Sequence, residues 1–185
     1  VKQTTITDDS GTHVVYNRKV TPFEAILIGS GNRVSPVTSV STTNQLYMIR
    51  DENIITKYFE TVPATIKANE LNSVDSDPFA SVLNDSDAFR TQEVLHSGFK
   101  GWKYTLSATE KSLATANVVG GVAYFSTFKP KAETTPGQCE IGEGSGGVYA
   151  FHLHYGTKVY ANLRLDYGEG IPDTPQLFFD KDSDD

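Results

Sequence analysis

Two histidines in the last quarter of the chain have the spacing of metal ligands. His152 and His154 alternate along a predicted strand, which puts both side chains on one face. A His-X-His pair is a zinc-ligand arrangement, but a closed site needs a third and a fourth ligand. Glu140 and Glu143 in the preceding loop are the nearest candidates. The simpler interpretation is two partly exposed strand histidines, and we predict no metal site.

The acidic tail 180–185 carries alternating carboxylates at Asp180, Asp182 and Asp184. A calcium loop starts in this way, but it also requires a turn-forming glycine and a later carboxylate. Neither is present within 180–185, so a solvated acidic tail is the simpler interpretation.

Two further features could suggest chemistry. The glycine-rich run Gly142–Gly147 lacks the Gly-Lys-Ser/Thr ending of a phosphate-binding loop, so it is predicted to be an inter-strand loop. Cys139 has no histidine near it in the sequence, and a single cysteine leaves both a free thiol and a disulfide open. We therefore predict no catalytic residue and no cofactor, and a chain that is not an enzyme.

The composition narrows the class of protein. The 185 residues suit one ordinary domain, and a net charge of −7 argues against binding to a nucleic-acid backbone. No apolar run approaches the roughly 18 residues of a membrane span, so a membrane-spanning protein is not expected.

Alternating apolar residues predict an all-β fold, most clearly after residue 112. Gly120 and Gly121 form a two-residue turn between two apolar runs, because glycine accepts positive φ at both turn positions. The predicted order is strand 113–119, the turn, strand 122–128, loop 129–146, strand 147–153, turn 154–157 and a returning strand 158–160. Four antiparallel strands in chain order are typical of one β-propeller blade.

The first part of the chain gives a similar but less regular pattern. Strands are predicted at 13–16, 23–28, 45–50 and 54–59, with a weak one at 37–40 and a hairpin-type turn at 51–53. Residues 1–12 are polar and are expected to be frayed or to form an edge.

The stretch 60–100 differs in composition. It is rich in Asp, Asn, Ser and Thr and shows no sustained alternation, so we interpret it as a polar insertion or linker with short helices at 78–83 or 87–95. Its length makes it the favoured contact surface.

Aromatic side chains are assigned mainly to packing. Tyr47, Tyr124, Tyr149 and Phe151 are predicted core or inter-blade residues. Trp102 is predicted at a blade edge, with a sugar-binding platform as the alternative.

Two strand pairs repeat one pattern. The runs 25–31 and 45–51 correspond to 122–128 and 147–153, and the second strand of each pair carries a central Tyr. Residues 171–179 are interpreted as the first strand of another blade. The chain would thus hold about two blades and the start of a third, with exposed edges that require the rest of a propeller or a partner.

Several segments resemble, in order, the C-terminal propeller domain of the PilY family, the adhesins at the tip of type IV pili. The segments are 27–33, 46–51, 101–106, 110–112, 118–130, Cys139 and 146–153, and they span roughly residues 23–179. The family's propeller is longer, so residues 1–185 look like its C-terminal part. The family's calcium loop has no complete match here, and the resemblance implies calcium only in a longer parent protein.

The resemblance implies a non-catalytic component of the pilus tip at the bacterial cell surface. Its expected partners are minor pilins or other tip proteins, the remainder of its own propeller, and a host or surface ligand. One alternative is a quinoprotein-like propeller enzyme, although the chain has one Trp and one Cys and lacks a repeated Trp pattern. Another alternative is a structural subunit of an extracellular filament.

Overall fold

Antiparallel β-structure dominates the computed structural model, as the alternating sequence predicts. The model describes residues 2–36, 42–54, 61–131 and 144–176. The strands are β1 Lys2–Asp8, β2 Gly11–Asn17, β3 Glu24–Gly29, β4 Gln45–Asp51, β5 Asn72–Ser73, β6 Gly101–Thr105, β7 Asn117–Val119, β8 Val122–Pro130, β9 Gly144–His152 and β10 Arg164–Glu169. Helix α1 spans Ser86–Ser97, and a short 3-10 helix spans Ala68–Glu70. The predicted strands at 37–40 and 54–59, apart from residue 54, lie outside the described residues, as do Cys139, Glu140, Glu143, residues 177–179 of the predicted further strand, and the acidic tail.

The C-terminal sheet consists of β7, β8, β9 and β10 in chain order, all antiparallel. The predicted Gly-Gly hairpin is confirmed, because Val119 is paired with Val122 and the intervening Gly120 and Gly121 have φ of 58° and 80°. A positive φ at both positions matches the right-handed twist of the two strands.

The predicted position of the fourth strand of this sheet is wrong. The predicted strand 158–160 contributes only an isolated bridge between Lys158 and Phe151, and the strand that pairs with β9 is β10. β10 lies at the edge of the sheet and is mostly exposed. Leu165 and Tyr167 do alternate with polar residues, but the run is short and both side chains are exposed.

We predict that replacing both turn glycines with valine destabilises the hairpin. Gly120→Val/Gly121→Val forces two β-branched residues into positive φ, at about 1–2 kcal/mol each. Urea unfolding should show a loss of roughly 2–4 kcal/mol. The matched control is Gly98→Ala, because Gly98 ends α1 with a negative φ of −73° and should tolerate alanine. Equal stabilities for the two variants would contradict the turn assignment.

The N-terminal sheet has the order β3-β4-β6-β5, with β3, β4 and β6 antiparallel and β5 parallel to β6. The predicted hairpin return after residues 51–53 is wrong, because β4 takes β6 as its next partner. Asp51 Oδ1 instead accepts a hydrogen bond from the Asn53 amide at 2.9 Å, which forms a local turn. The parallel β5 also departs from a purely antiparallel four-stranded blade.

The described part of the stretch 60–100, which its composition indicates to be a polar insertion or linker, contributes secondary structure and buried side chains. It supplies β5 and α1, and it buries Leu71, Val74 and Phe79. The predicted helix 87–95 is confirmed within α1, while 78–83 forms turns. Asp85 begins α1 by accepting hydrogen bonds from the amides of Asp87 and Ala88. Deletion of this stretch would therefore remove buried structure as well as surface.

Residues 2–17 form a regular hairpin of β1 and β2. The predicted strand 13–16 is confirmed within β2, and β1 forms within residues 1–12, which were expected to be frayed or to form an edge. The hairpin is mostly exposed and contacts α1. Just beyond it, the Arg18 guanidinium is paired with the Glu93 carboxylate at 3.0 Å, and the Arg90 guanidinium lies over the Tyr16 ring. These contacts fix the hairpin to the helix.

The predicted repeat is visible in the strand registers. Equivalent pairs are Leu27–Met48 with Tyr124–Ala150, and Ile28–Tyr47 with Phe125–Tyr149. The β3–β4 pair and the β8–β9 pair are thus built with the same register.

The two sheets nevertheless bury opposite faces of this repeat. In the N-terminal sheet, the side chains that point into the shared core are Leu46 and Met48. In the C-terminal sheet they are Tyr149 and Phe151, which belong to the opposite face of the repeat. Ala150, the counterpart of Met48, lies in a separate cluster on the other face of β9. A contact between two unlike faces is called heterologous. Because each sheet then keeps its other face free of that contact, further sheets can be added in the same way.

Trp102 is the centre of the core between the two sheets. Its ring is fully buried, 4.9 Å from the Phe151 ring and 6.2 Å from the Phe125 ring, and its Nε1 donates to the Leu153 carbonyl at 2.9 Å. The blade-edge position and the sugar-platform alternative are therefore both wrong. The buried core residues are Leu46, Met48, Val74, Trp102, Leu106, Ala123, Phe125, Tyr149 and Phe151.

Candidate functional site

The predicted placement of both histidines on one strand is wrong. His152 ends β9, and His154 lies in the turn that follows, where the Gly156 amide donates to the His152 carbonyl at 2.8 Å. Their ring centroids are 6.0 Å apart, and the His152 ring stacks on Tyr155 at 4.8 Å. Among the residues that the structure describes, no group of three His, Cys, Asp or Glu side chains could hold a metal ion.

His96 on α1 is a buried polar residue that the sequence did not single out. Its Nε2 lies 2.7 Å from the His154 carbonyl oxygen, and its Nδ1 lies 3.0 Å from the Asn72 side-chain nitrogen. A carbonyl can only accept, so Nε2 carries the proton and Nδ1 accepts from the Asn72 amide. Burial lowers the pKa of His96, and the charges of Arg50 and His154 lower it further, against the opposing effect of the His154 carbonyl.

This arrangement predicts a loss of stability in mild acid. A lowered folded-state pKa means that the unfolded chain binds the proton more readily, so stability falls as the pH drops below the usual value of 6.5. The free energy of unfolding should decrease between pH 7 and pH 5, and His96→Gln should flatten that decrease. His13→Gln on the exposed hairpin is the control. An unchanged pH profile in His96→Gln would contradict the prediction.

A second buried cluster surrounds Glu110, which is 1% exposed. Its carboxylate accepts hydrogen bonds from Thr127 Oγ1 at 2.6 Å, Ser107 Oγ at 2.7 Å and Tyr149 OH at 3.0 Å. The Nε of Arg164 donates a fourth hydrogen bond to the Glu110 carboxylate at 2.9 Å. Glu110 thereby joins the loop after β6 to β8, β9 and β10.

The electrostatics of Glu110 favour a permanently charged carboxylate. Burial alone would raise its pKa, but the hydroxyl bonds from Thr127 and Ser107, the charge of Arg164 and the Tyr149 hydroxyl together lower it below 4.5. A general acid near neutral pH needs the opposite shift, and a group so enclosed does not reach a substrate. The cluster is therefore suited to holding the two sheets together.

Lys111 and Ser112 continue the same connection. The buried Lys111 ammonium donates to the carbonyls of Ser35 and Pro36 at 2.9 and 2.8 Å, and the Ser112 hydroxyl donates to the Ser126 carbonyl at 3.1 Å. The three adjacent residues 110–112 thus connect the loop after β3 with the C-terminal sheet. Their only sequence signal was membership in the segments that carry the family resemblance.

Three of the four aromatic residues predicted to pack do so. Tyr149 and Phe151 lie in the core between the sheets, and Tyr124 is buried on the opposite face of β8. Tyr47 is only half-buried, and its hydroxyl donates to Gln45 Oε1 at 2.8 Å. Tyr47 points away from the core because its neighbours Leu46 and Met48 point into it.

Two exposed leucines lie on the polar stretch, one on α1 and one before it. Leu95 is 59% exposed near the end of the helix, and Leu83 is 62% exposed in the turns that precede it. Arg90 and Asp87 lie on the same helix and form an exposed ion pair at 3.5 Å. We name these four residues the helix surface. Isolated exposed apolar side chains are common on protein surfaces, so exposure alone assigns no function to these four residues.

Within the described parts of the chain, no helix is long and apolar enough to cross a membrane. No protein-family model, curated protein or solved structure matches the sequence or the fold.

Proposed function

We propose that this chain is a non-catalytic component of the type IV pilus tip, part of a PilY-like β-propeller that supports pilus assembly and adhesion at the bacterial surface. The observation that carries the proposal is the heterologous packing of two successive sheets with one repeated strand register. Propeller blades are packed in this way around a common axis. The described segments that carry the family resemblance lie in or beside the strands of both sheets.

A non-catalytic role is supported by the partners of the buried polar groups. The Glu110 carboxylate is paired with Arg164 and accepts hydrogen bonds from three hydroxyls. Both ring nitrogens of His96 are hydrogen-bonded within the fold. The quinoprotein-like alternative gains no support, because the chain has one Trp and so lacks a repeated Trp pattern. Rigid sheets that carry a contact surface suit a binding platform better than an active site.

The helix surface is the proposed contact for minor pilins or other tip proteins. It lies on the polar stretch, which the fold holds in place through the buried Phe79 and His96. Its two exposed leucines and its ion pair offer apolar area and charged groups to a partner.

The test uses the complete protein in its piliated host. Leu83→Lys/Leu95→Lys should leave the far-UV spectrum and melting temperature unchanged, because both side chains are exposed. Piliation or adhesion should fall, since charge would be introduced into the contact surface. The matched control is Val20→Lys/Val62→Lys, which changes two exposed valines away from α1. Wild-type piliation and adhesion in the leucine variant would reject the helix surface, and wild-type behaviour in a gene deletion would reject the pilus function itself.

A further inference from the structure

The N-terminal hairpin has two outer edges that pair with no other strand among the described residues. β1 and β2 form a sheet of their own, paired with each other along their whole length. Helix α1 contacts β1, yet every residue of β1 is exposed. A hairpin of two strands is only marginally stable in water, and the unpaired backbone groups of an edge are a template for another strand.

β1 lacks three features that protect free edges in natural sheets. Its register with β2 runs from Lys2 to Asp8 without a bulge, and it contains no proline. Its charged residues are Lys2 and Asp8 at the two ends, and the five residues between them are uncharged. Bulges, prolines and charges within an edge strand are devices that prevent edge-to-edge pairing. The edge of β1 is therefore able to pair with another strand.

The turn of the hairpin determines which backbone groups of β1 face the free edge. Asp9 and Ser10 form the turn, and Asp8 is paired with Gly11 directly across it. The pair that closes such a turn exchanges hydrogen bonds, and hydrogen-bonded pairs then alternate with non-hydrogen-bonded pairs along the strands. The residues of β1 whose N–H and C=O groups point outward are Gln3, Thr5 and Thr7.

The sequence of β1 is self-complementary when two copies run antiparallel. With Thr5 opposite Thr5 of the second copy, Gln3 lies opposite Thr7, and all the outward backbone groups are paired around one two-fold axis. The same register places Lys2 opposite Asp8 of the second copy at both ends of the strand. Opposite charges that face each other across antiparallel strands stabilise the pairing.

Asp8 holds the negative charge that this register needs. Its Oδ1 accepts hydrogen bonds from the Ser10 amide at 2.9 Å and the Ser10 hydroxyl at 2.5 Å, and His13 Nε2 lies 3.3 Å from the same oxygen. The hydrogen bonds from Ser10 lower the pKa of Asp8, so its carboxylate is ionised at neutral pH.

β2 is less suited to pair with a second copy. Self-pairing about Val14 would place Thr12 opposite Tyr16 and would bring no opposite charges together. Val15 and Tyr16 are half-buried, and the Arg90 guanidinium of α1 lies 5.7 Å from the centre of the Tyr16 ring. The contacts with α1 thus occupy one end of β2.

We propose that β1 is a dimerisation edge, at which two copies of this chain pair antiparallel about Thr5 and join their hairpins into a four-stranded sheet. The two Lys2–Asp8 pairs fix the register. One strand edge buries less surface than the roughly 1,200 Å² of a standard interface, so the dimer is reversible, with a Kd of about micromolar order or weaker. The inference is independent of the pilus role.

Sedimentation equilibrium of the 185-residue chain measures the dimer. Lys2→Glu places like charges opposite each other at both ends, and it should raise the Kd at least about tenfold. Asp8→Lys should have the same effect. Lys2→Glu/Asp8→Lys should restore the wild-type Kd, because the two pairs form again with their signs exchanged. The control for net charge is Lys19→Glu, an exposed residue outside the hairpin, which should leave the Kd unchanged.

A pair of proline variants tests the edge itself. Thr5→Pro removes an outward N–H from β1, and Val14→Pro removes the outward N–H of its partner on β2. Neither substitution removes a hydrogen bond between β1 and β2, so both variants should keep the far-UV spectrum of the wild type. Thr5→Pro should abolish the dimer, and Val14→Pro should leave its Kd unchanged.

Three results would overturn the proposal. One is a wild-type chain that stays monomeric at about 1 mM, where a dimer of this strength is populated. Another is a dimer that survives Thr5→Pro or is lost in Val14→Pro, which would place the contact elsewhere. The last is a charge-exchanged double variant that dimerises no better than Lys2→Glu alone.

Discussion

Glu110→Ala is expected to destabilise the protein by about 3–5 kcal/mol, because removal of one member of a buried ion pair leaves the other charge uncompensated. Of its partners among the described residues, Arg164 would keep Asp166 and the Ser145 carbonyl, and the Thr127 hydroxyl would lose its shortest hydrogen bond. Urea unfolding monitored by circular dichroism measures the loss. Such a change approaches the whole stability of a typical domain.

The control for this prediction is Glu52→Ala. Glu52 is 39% exposed and forms a 3.4 Å ion pair with Lys100, so its removal should cost less than about 1 kcal/mol. The pH dependence gives a second check. Since the folded-state pKa of Glu110 is lowered, its contribution is present above 4.5 and is lost as the pH falls through the folded value. Equal losses in the two alanine variants would contradict the role of the Glu110 cluster.

Trp102→Ala is expected to cost about 3–5 kcal/mol and to loosen both sheets together. The substitution empties the centre of the inter-sheet core and leaves the Leu153 carbonyl without its indole donor. Trp102→Phe keeps part of the ring volume and should cost less. Thermal unfolding of both variants measures the effect.

The control for Trp102 is Tyr167→Ala, which removes an aromatic ring that is 60% exposed on β10. Its melting temperature should stay within a few degrees of that of the wild type. A tolerated Trp102→Ala would mean that the two sheets are not held together through this residue.

Local signals were enough to predict much of the fold. The Gly120-Gly121 turn and the β8–β9 pair follow from turn chemistry and alternation, which act over a few residues. β5 was missed because it is two residues long, and β10 because it is a short exposed edge whose alternating Leu165 and Tyr167 give only a weak signal.

The buried polar residues were harder to predict, for a physical reason. Glu110 is stabilised by Tyr149 and Arg164, and His96 by Asn72 and the His154 carbonyl, all distant in the sequence. No spacing rule connects such partners. His152 and His154 do have a local spacing, that of neighbours on one strand. The strand ends at His152 and a turn follows, so this spacing led to a wrong prediction.

Two copies of one repeat are packed in this fold through unlike faces. Nuclear Overhauser contacts from the indole of Trp102 measure this packing, because the chain has a single tryptophan. We predict contacts to the ring protons of Phe125 and Phe151. Contacts to Tyr124, Val148 or Ala150 instead would mean that like faces are packed together, and would refute packing through unlike faces.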